Sequence, residues 1–222
     1  MKFAPMLHEL LKELAAKNAR LIAVSKTHPA ARILKLYENE GLRDFGENRP
    51  QEMLEKYQAL PADIAWHMIG HLQTNKVKYI AAFVAMIHSV DSLRLLQEID
   101  KQALKNGRII DCLLQFHIAA EETKFGLDEP EANALLESPE YAALQNIRLC
   151  GVMGMATFTN DHARVRSEFR QLKQNFDRIK NRYFSHAPHF REISMGMSGD
   201  WQIALEEGST MLRIGSLIFG ER

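Results

Sequence analysis

Cysteine is scarce in this chain, which carries only Cys112 and Cys150. Both lie in apolar runs, DCLLQF and LCGVM, without the spacing of a zinc or redox site. A disulfide framework and a thiolate metal centre are therefore excluded, and a reducing compartment, the cytoplasm, is expected. An excess of charge is missing too, because Lys plus Arg and Asp plus Glu each number 28. No basic face advertises nucleic acid or an anionic membrane. No apolar run is long enough to span a bilayer, and the opening MKFAPMLHELLKELAAKNAR lacks the cleavage site of a signal peptide. Its Leu7, Leu10, Leu11 and Leu14 instead fall on one face of a helix.

The chain has ample material for a core, with 46% hydrophobic residues among 222. Short runs rich in Val, Ile and Leu recur at residues 21–25, 43–47, 64–70, 84–90, 109–117, 147–155, 191–197 and 211–216. Between them lie segments of helical period: ARILKLYENEG, RPQEMLEKYQAL, TNKVKYIAAF, SLRLLQEIDKQALKNG, EPEANALLES, HARVRSEFRQLKQNFDRIKN and GDWQIALEEG. Strands separated by crossover helices pair in parallel. Eight such units predict an α/β fold, a single (β/α)8 barrel of the TIM type. The rival, an open doubly wound sheet, usually carries a G-x-G-x-x-G turn after its first strand, and SKTHPAA contains no glycine. Residues 1–222 read as one domain, with 1–20 as a helix packed on the barrel.

In a barrel, chemistry gathers at the carboxyl ends of the strands. Those ends read Lys26 and Thr27, then Gly46 to Arg49, Gly70 and His71, Ser89 and Asp91, Gln115 and His117, Gly154 and Met155, Ser194 to Ser198, and Arg213 to Ser216. The last two are the most informative. SMGMSGD and RIGS combine glycines, which let backbone N–H groups approach an anion, with the hydroxyls of Ser198 and Ser216. One such loop taken alone reads better as an ordinary turn with a serine helix cap, and two adjacent ones shift the reading toward phosphate. A strand-held amine at Lys26 facing that phosphate site suggests a phosphorylated aldehyde held as a Schiff base. Pyridoxal 5′-phosphate (PLP) is such a molecule, and Arg213 would then lie at its ring nitrogen, although a salt bridge at the rim also accounts for an arginine there.

The motifs AVSKT, DFGENRPQE, WHMIGHLQTNK, HSVDS, ETKFG, GVMGM, SMGMSGDW and GSTMLRIGSLIFG together resemble the pyridoxal 5′-phosphate homeostasis proteins over residues 21–222. The resemblance implies a fold-type III barrel, like the amino-terminal domain of alanine racemase, with PLP on Lys26. It also implies Asn48 near the ring, Arg213 at the ring nitrogen, and Met195, Gly196, Ser198, Gly215 and Ser216 around the phosphate. Two positions depart from the family pattern: Ser216 replaces a threonine, which keeps the hydroxyl, and His117 replaces an asparagine, which puts any role of that position in doubt.

The function implied is binding of PLP and its intracellular homeostasis, as carrier, buffer or regulator, by a monomer that is not an enzyme. PLP-dependent apoenzymes are the expected recipients. Two-base racemisation needs a second acid/base, which similar racemases take from a second domain, and the chain runs only nine residues past Arg213. Two alternatives remain: a weak racemase using His67, His71 or Tyr57, and a cofactor-free Schiff-base aldolase using Lys26. His67 and His71 in WHMIGH sit four apart, but Gly70 and the strand pattern argue against a shared helical face and hence a metal site. The methionines of GVMGM and SMGMS read as barrel packing.

Overall fold

The computed structural model describes residues 4–120 and 125–220. Among them, every run of β-branched and aliphatic residues anticipated as a strand becomes one: β1 (Arg20–Val24), β2 (Asp44–Glu47), β3 (Ala65–Met68), β4 (Met86–Val90), β5 (Ile110–Phe116), β6 (Ile147–Gly154), β7 (Glu192–Ser194) and β8 (Met211–Ile214). They lie in chain order around a closed barrel, each parallel to its neighbours, with β8 returning to β1.

Side chains alternate across each strand, and the alternation divides the apolar residues into two sets. Ile22, Met86, Leu113, Cys150, Met153 and Met211 form a small cluster inside the barrel. Their strand neighbours, among them Ala23, Ile87, Leu114 and Leu212, join the much larger core under the helices. The inner set is small because several inward positions are polar.

The first helix, α1 (Ala4–Ala16), buries Leu7, Leu10 and Leu14 beside β1. α2 (Ala30–Glu40) stops at Gly41 in the left-handed conformation, and α3 (Pro50–Ala59) starts on a proline that has no N–H to satisfy. α4 (Leu93–Lys105) is capped by Ser92, and α5 (Glu129–Glu137) opens with a reciprocal Asp128–Glu131 capping box. After a single turn, α6 (Pro139–Ala142), comes the longest helix, α7 (His162–Tyr183), which buries Phe169, Leu172, Phe176 and Ile179 on one face. Each such side chain contributes about 1.5–3 kcal/mol. α8 (Trp201–Glu206) and α9 (Ser216–Phe219) complete the ring.

One crossover differs from the sequence reading. TNKVKYIAAF forms a 3₁₀ helix over Thr74–Tyr79. Val77 and Ile80, three apart, are both fully buried, and that spacing serves a 3₁₀ turn as well as an α-helix. No helix of the described residues is long and apolar enough to cross a membrane.

Candidate functional site

The turn after β1 carries Lys26, half-buried at the barrel mouth. Its neighbour Thr27 sits at φ 67°, a left-handed conformation that a β-branched residue adopts only when its surroundings impose it. Here the Thr27 N–H donates to Glu52 Oε1 at 2.5 Å, and the His28 N–H donates to the Ser25 carbonyl at 3.0 Å. Glu52 belongs to a buried cluster between the barrel and α3. Lys56 Nζ donates to Glu47 Oε1 at 2.6 Å, Glu52 Oε1 at 2.7 Å and the Ser25 carbonyl at 2.8 Å. Ser25 Oγ donates to the same Glu47 oxygen at 2.6 Å. The other Glu47 oxygen is buried with no hydrogen-bond partner among the described residues. Burial raises the Glu47 pKa, against the lowering pull of Lys56 and Ser25. Lys56 went unremarked in the sequence reading. The available signal was the i, i+4 pair Glu52 and Lys56 directly after a strand ending in glutamate.

Arg213 lies on β8, next to β1, with Ile22 as its register partner, so it sits deeper in the barrel than Lys26. It is 4% exposed. Its Nη1 donates to Ser194 Oγ at 2.7 Å and its Nη2 to the Gly154 carbonyl at 2.9 Å. Burial pushes the guanidinium pKa down to about 10, with Asp200 opposing, so the group stays charged at neutral pH.

The loops after β7 and β8 meet above it. Gly196 has φ 95°, and a Cβ there would lie 2.5 Å from Ala204 Cβ and 2.7 Å from Leu212 Cδ2, so only glycine fits. The turn beyond is tied by the Met197 N–H to Asp200 Oδ1 at 2.6 Å. The Gly215 N–H reaches Ser198 Oγ at 3.4 Å, and a Cβ on Gly215 would lie 3.3 Å from the Val24 carbonyl. Ser198, Gly215 and Ser216 thus adjoin the end of the strand that delivers Lys26. Asn48 follows β2 on the other side of β1, its backbone so close to Gly70 that a Cβ there would lie 2.5 Å from the Asn48 carbonyl oxygen. The Met195 side chain is set apart, fully buried in the outer core, and only its backbone belongs to the turn. His117, just past β5, has its N–H bonded to the Leu127 carbonyl at 3.1 Å.

The three side chains considered as a second base are dispersed. Tyr57 stacks on Phe83 outside the barrel, with ring centroids 3.9 Å apart. His71 stacks on Phe125 and pairs with Asp91 at 3.2 Å. His67 points into the barrel, held between His88 and Asp44.

Comparison with known proteins gives a consistent picture. The family model described as alanine racemase, N-terminal domain, matches residues 8–222. A pyridoxal phosphate homeostasis protein of Aquifex aeolicus is 45% identical over 206 residues, spanning 92% of this chain and 87% of its own length. PipY of Synechococcus elongatus, solved without PLP and with PLP bound, superimposes with TM-scores of 0.87 and 0.85 at 36% identity, covering 99% of this chain and 100% of that one. An alanine racemase of Clostridium difficile shares the fold at 17% identity and a TM-score of 0.73, covering 96% of this chain and 55% of that one.

Proposed function

Because this chain belongs to the family of pyridoxal phosphate homeostasis proteins, we propose that it binds PLP as a Schiff base on Lys26 and takes part in intracellular PLP homeostasis. The observation that carries the reading is the junction of three loops. Gly215 packs on Val24, two residues before Lys26, while its N–H reaches Ser198, so a lysine and a glycine-serine cradle share one mouth. PipY, with PLP bound, supports it from outside.

The residues fit the cofactor. The hydroxyls of Ser198 and Ser216, with backbone N–H groups of the turns through Met195, Gly196 and Gly215, suit a phosphate dianion. In this reading Asn48 would lie beside the ring, and Arg213 would hold the ring nitrogen. PLP supplies an electrophilic aldehyde carbon and an electron-withdrawing ring. Arg213, fixed by Ser194 and Gly154, keeps its own proton at neutral pH and leaves the ring nitrogen as an acceptor, which weakens the ring as an electron sink. That suits carriage better than carbanion chemistry. The relatives are named for homeostasis, and His67 and Tyr57 are engaged away from the mouth, which supports a role as carrier, buffer or regulator and not an enzyme. We place the protein in the cytoplasm as a monomer that exchanges PLP with apoenzymes; its two cysteines are free and buried, as a reducing compartment permits.

The test is the visible absorbance of the purified protein loaded with PLP, wild type against Lys26→Ala. A Schiff-base band present in the wild type and missing from the variant is expected. Identical spectra for the two, or no uptake of PLP by the wild type, would overturn the reading.

A further inference from the structure

Inside the barrel a line of polar side chains runs from one end to the other. Asp44 opens β2 at the end away from the mouth, where it lines a cleft of about 400 Å³ together with His67, Arg20 and Glu192. His67 on β3 has Nε2 at 2.9 Å from Asp44 Oδ1 and Nδ1 at 2.9 Å from His88 Nε2. His88 on β4 has Nδ1 at 2.9 Å from Ser194 Oγ, and Ser194 on β7 accepts from Arg213 Nη1 at 2.7 Å. His88 and Ser194 are fully buried, and His67 is 2% exposed.

With His67 as a neutral ring, the chemistry of the two ends fixes every proton between them. Burial alone would raise the Asp44 pKa, but the hydrogen bond from His67 and the charge of Arg20 lower it, so the carboxylate is ionised and can only accept. His67 must then carry its proton on Nε2. A ring with a single N–H accepts at its other nitrogen, so His67 Nδ1 accepts and His88 Nε2 donates. The His88 pKa is driven well below 6.5 by burial above all and also by the charges of Arg213 and Arg20, so that ring too has one N–H and Nδ1 accepts. Ser194 therefore donates its hydroxyl proton to His88 and receives the proton of Arg213. Every lone pair faces Arg213 and every proton faces Asp44.

We propose that Ser194, His88, His67 and Asp44 form a one-directional hydrogen-bond relay that positions Arg213 and orients its guanidinium for the ligand at the barrel mouth. Asp200 is an acid that acts on Arg213 from the mouth side, and the relay opposes it with oriented dipoles from below. Four strands, β2, β3, β4 and β7, each contribute one member of the relay, so the fork of Arg213 is held by the barrel itself. Its effect on the cofactor rests on the PLP reading above, whereas its proton arrangement does not.

Long-range proton–nitrogen spectra of the protein, histidine labelled with nitrogen-15 and without PLP, read the arrangement directly. His67 and His88 are both expected as the Nε2–H tautomer at neutral pH. A proton on Nδ1 of either ring would overturn the relay whatever PLP does. With PLP bound, Ser194→Ala and Asp44→Asn should each shift the visible band and weaken PLP retention roughly threefold or more, the scale expected of remote coupling. Ser194→Thr, which keeps the hydroxyl, should restore the band. Asp44→Asn changes a side chain at the open end of the barrel, and it guards against misreading a folding defect in the buried variants. An unshifted band and unchanged retention in folded Ser194→Ala and Asp44→Asn would sink the positioning role while leaving the Lys26 adduct intact. Failure of the wild type to take up PLP would instead strike the proposed function.

Discussion

Two cations serve the barrel mouth, and they are supported in opposite ways. The turn of Lys26 is braced from outside the barrel by a compact ionic cluster in which one amine, Lys56, bridges Glu47, Glu52 and the Ser25 carbonyl. Arg213 is braced from inside by a long chain of a hydroxyl and two imidazoles that ends on a distant carboxylate. The ionic brace holds a backbone turn, including a threonine in a left-handed conformation. The inner relay holds a side chain and leaves the backbone alone. One brace acts on the backbone of a loop, whereas the other acts on the atoms of a side chain.

The comparison breaks most sharply at Lys56. Its side chain is 7% exposed and that of Glu47 is fully buried, so Lys56→Met strands a buried carboxylate. The loss expected in urea denaturation is about 3–5 kcal/mol, most of it recovered in the double variant with Glu47→Leu. No recovery in the double variant would show that the cluster acts by packing alone. Next in size is Gly196→Ala, which forces a methyl against Ala204 and Leu212 and should cost about 1–3 kcal/mol while weakening phosphate binding. A variant of unchanged stability would mean that the turn shifts freely.

The inner relay shows itself in pH dependence. Folded His88 resists a proton that the unfolded chain accepts near pH 6.5, so stability is lost as the pH falls below about 6.5. That component has a slope of at most about 1.4 kcal/mol per pH unit, and His88→Gln should remove it. Parallel stability profiles for wild type and variant below pH 6.5 would argue against a neutral, buried His88. The smallest effect belongs to Thr27→Asn. Asparagine tolerates the left-handed region better and keeps the N–H that bonds Glu52, so a gain of about 0.5–1 kcal/mol is expected in the same denaturation assay. A loss would place the value of Thr27 in its side chain.

The barrel was legible because its strands are short aliphatic runs separated by capped amphipathic helices, and each run matches a strand to within a few residues. The single turns α6 and α9 escaped because four residues are too few to display a period. At the mouth, Lys26, Ser198, Gly215 and Ser216 were readable as strand ends and glycine-serine turns. Ser194 was read as one more strand end, and its place beneath Arg213 was not visible. His88 was hidden for a related reason. A parallel strand is buried on both faces, so VAMIHSV does not reveal whether its histidine faces the helices or the barrel interior. Lys56 was hidden because a lysine on an amphipathic helix ordinarily reaches solvent, and only the approach of Glu47 from the barrel wall turns it inward.

The most direct measurement is borohydride reduction of the PLP-loaded protein followed by peptide mass mapping. A phosphopyridoxyl group on the peptide containing Lys26, and its loss in Lys26→Ala, is the expected result. A label on Lys56 or another lysine, or no label on a protein that has taken up PLP, would contradict the assignment of Lys26 as the cofactor's anchor.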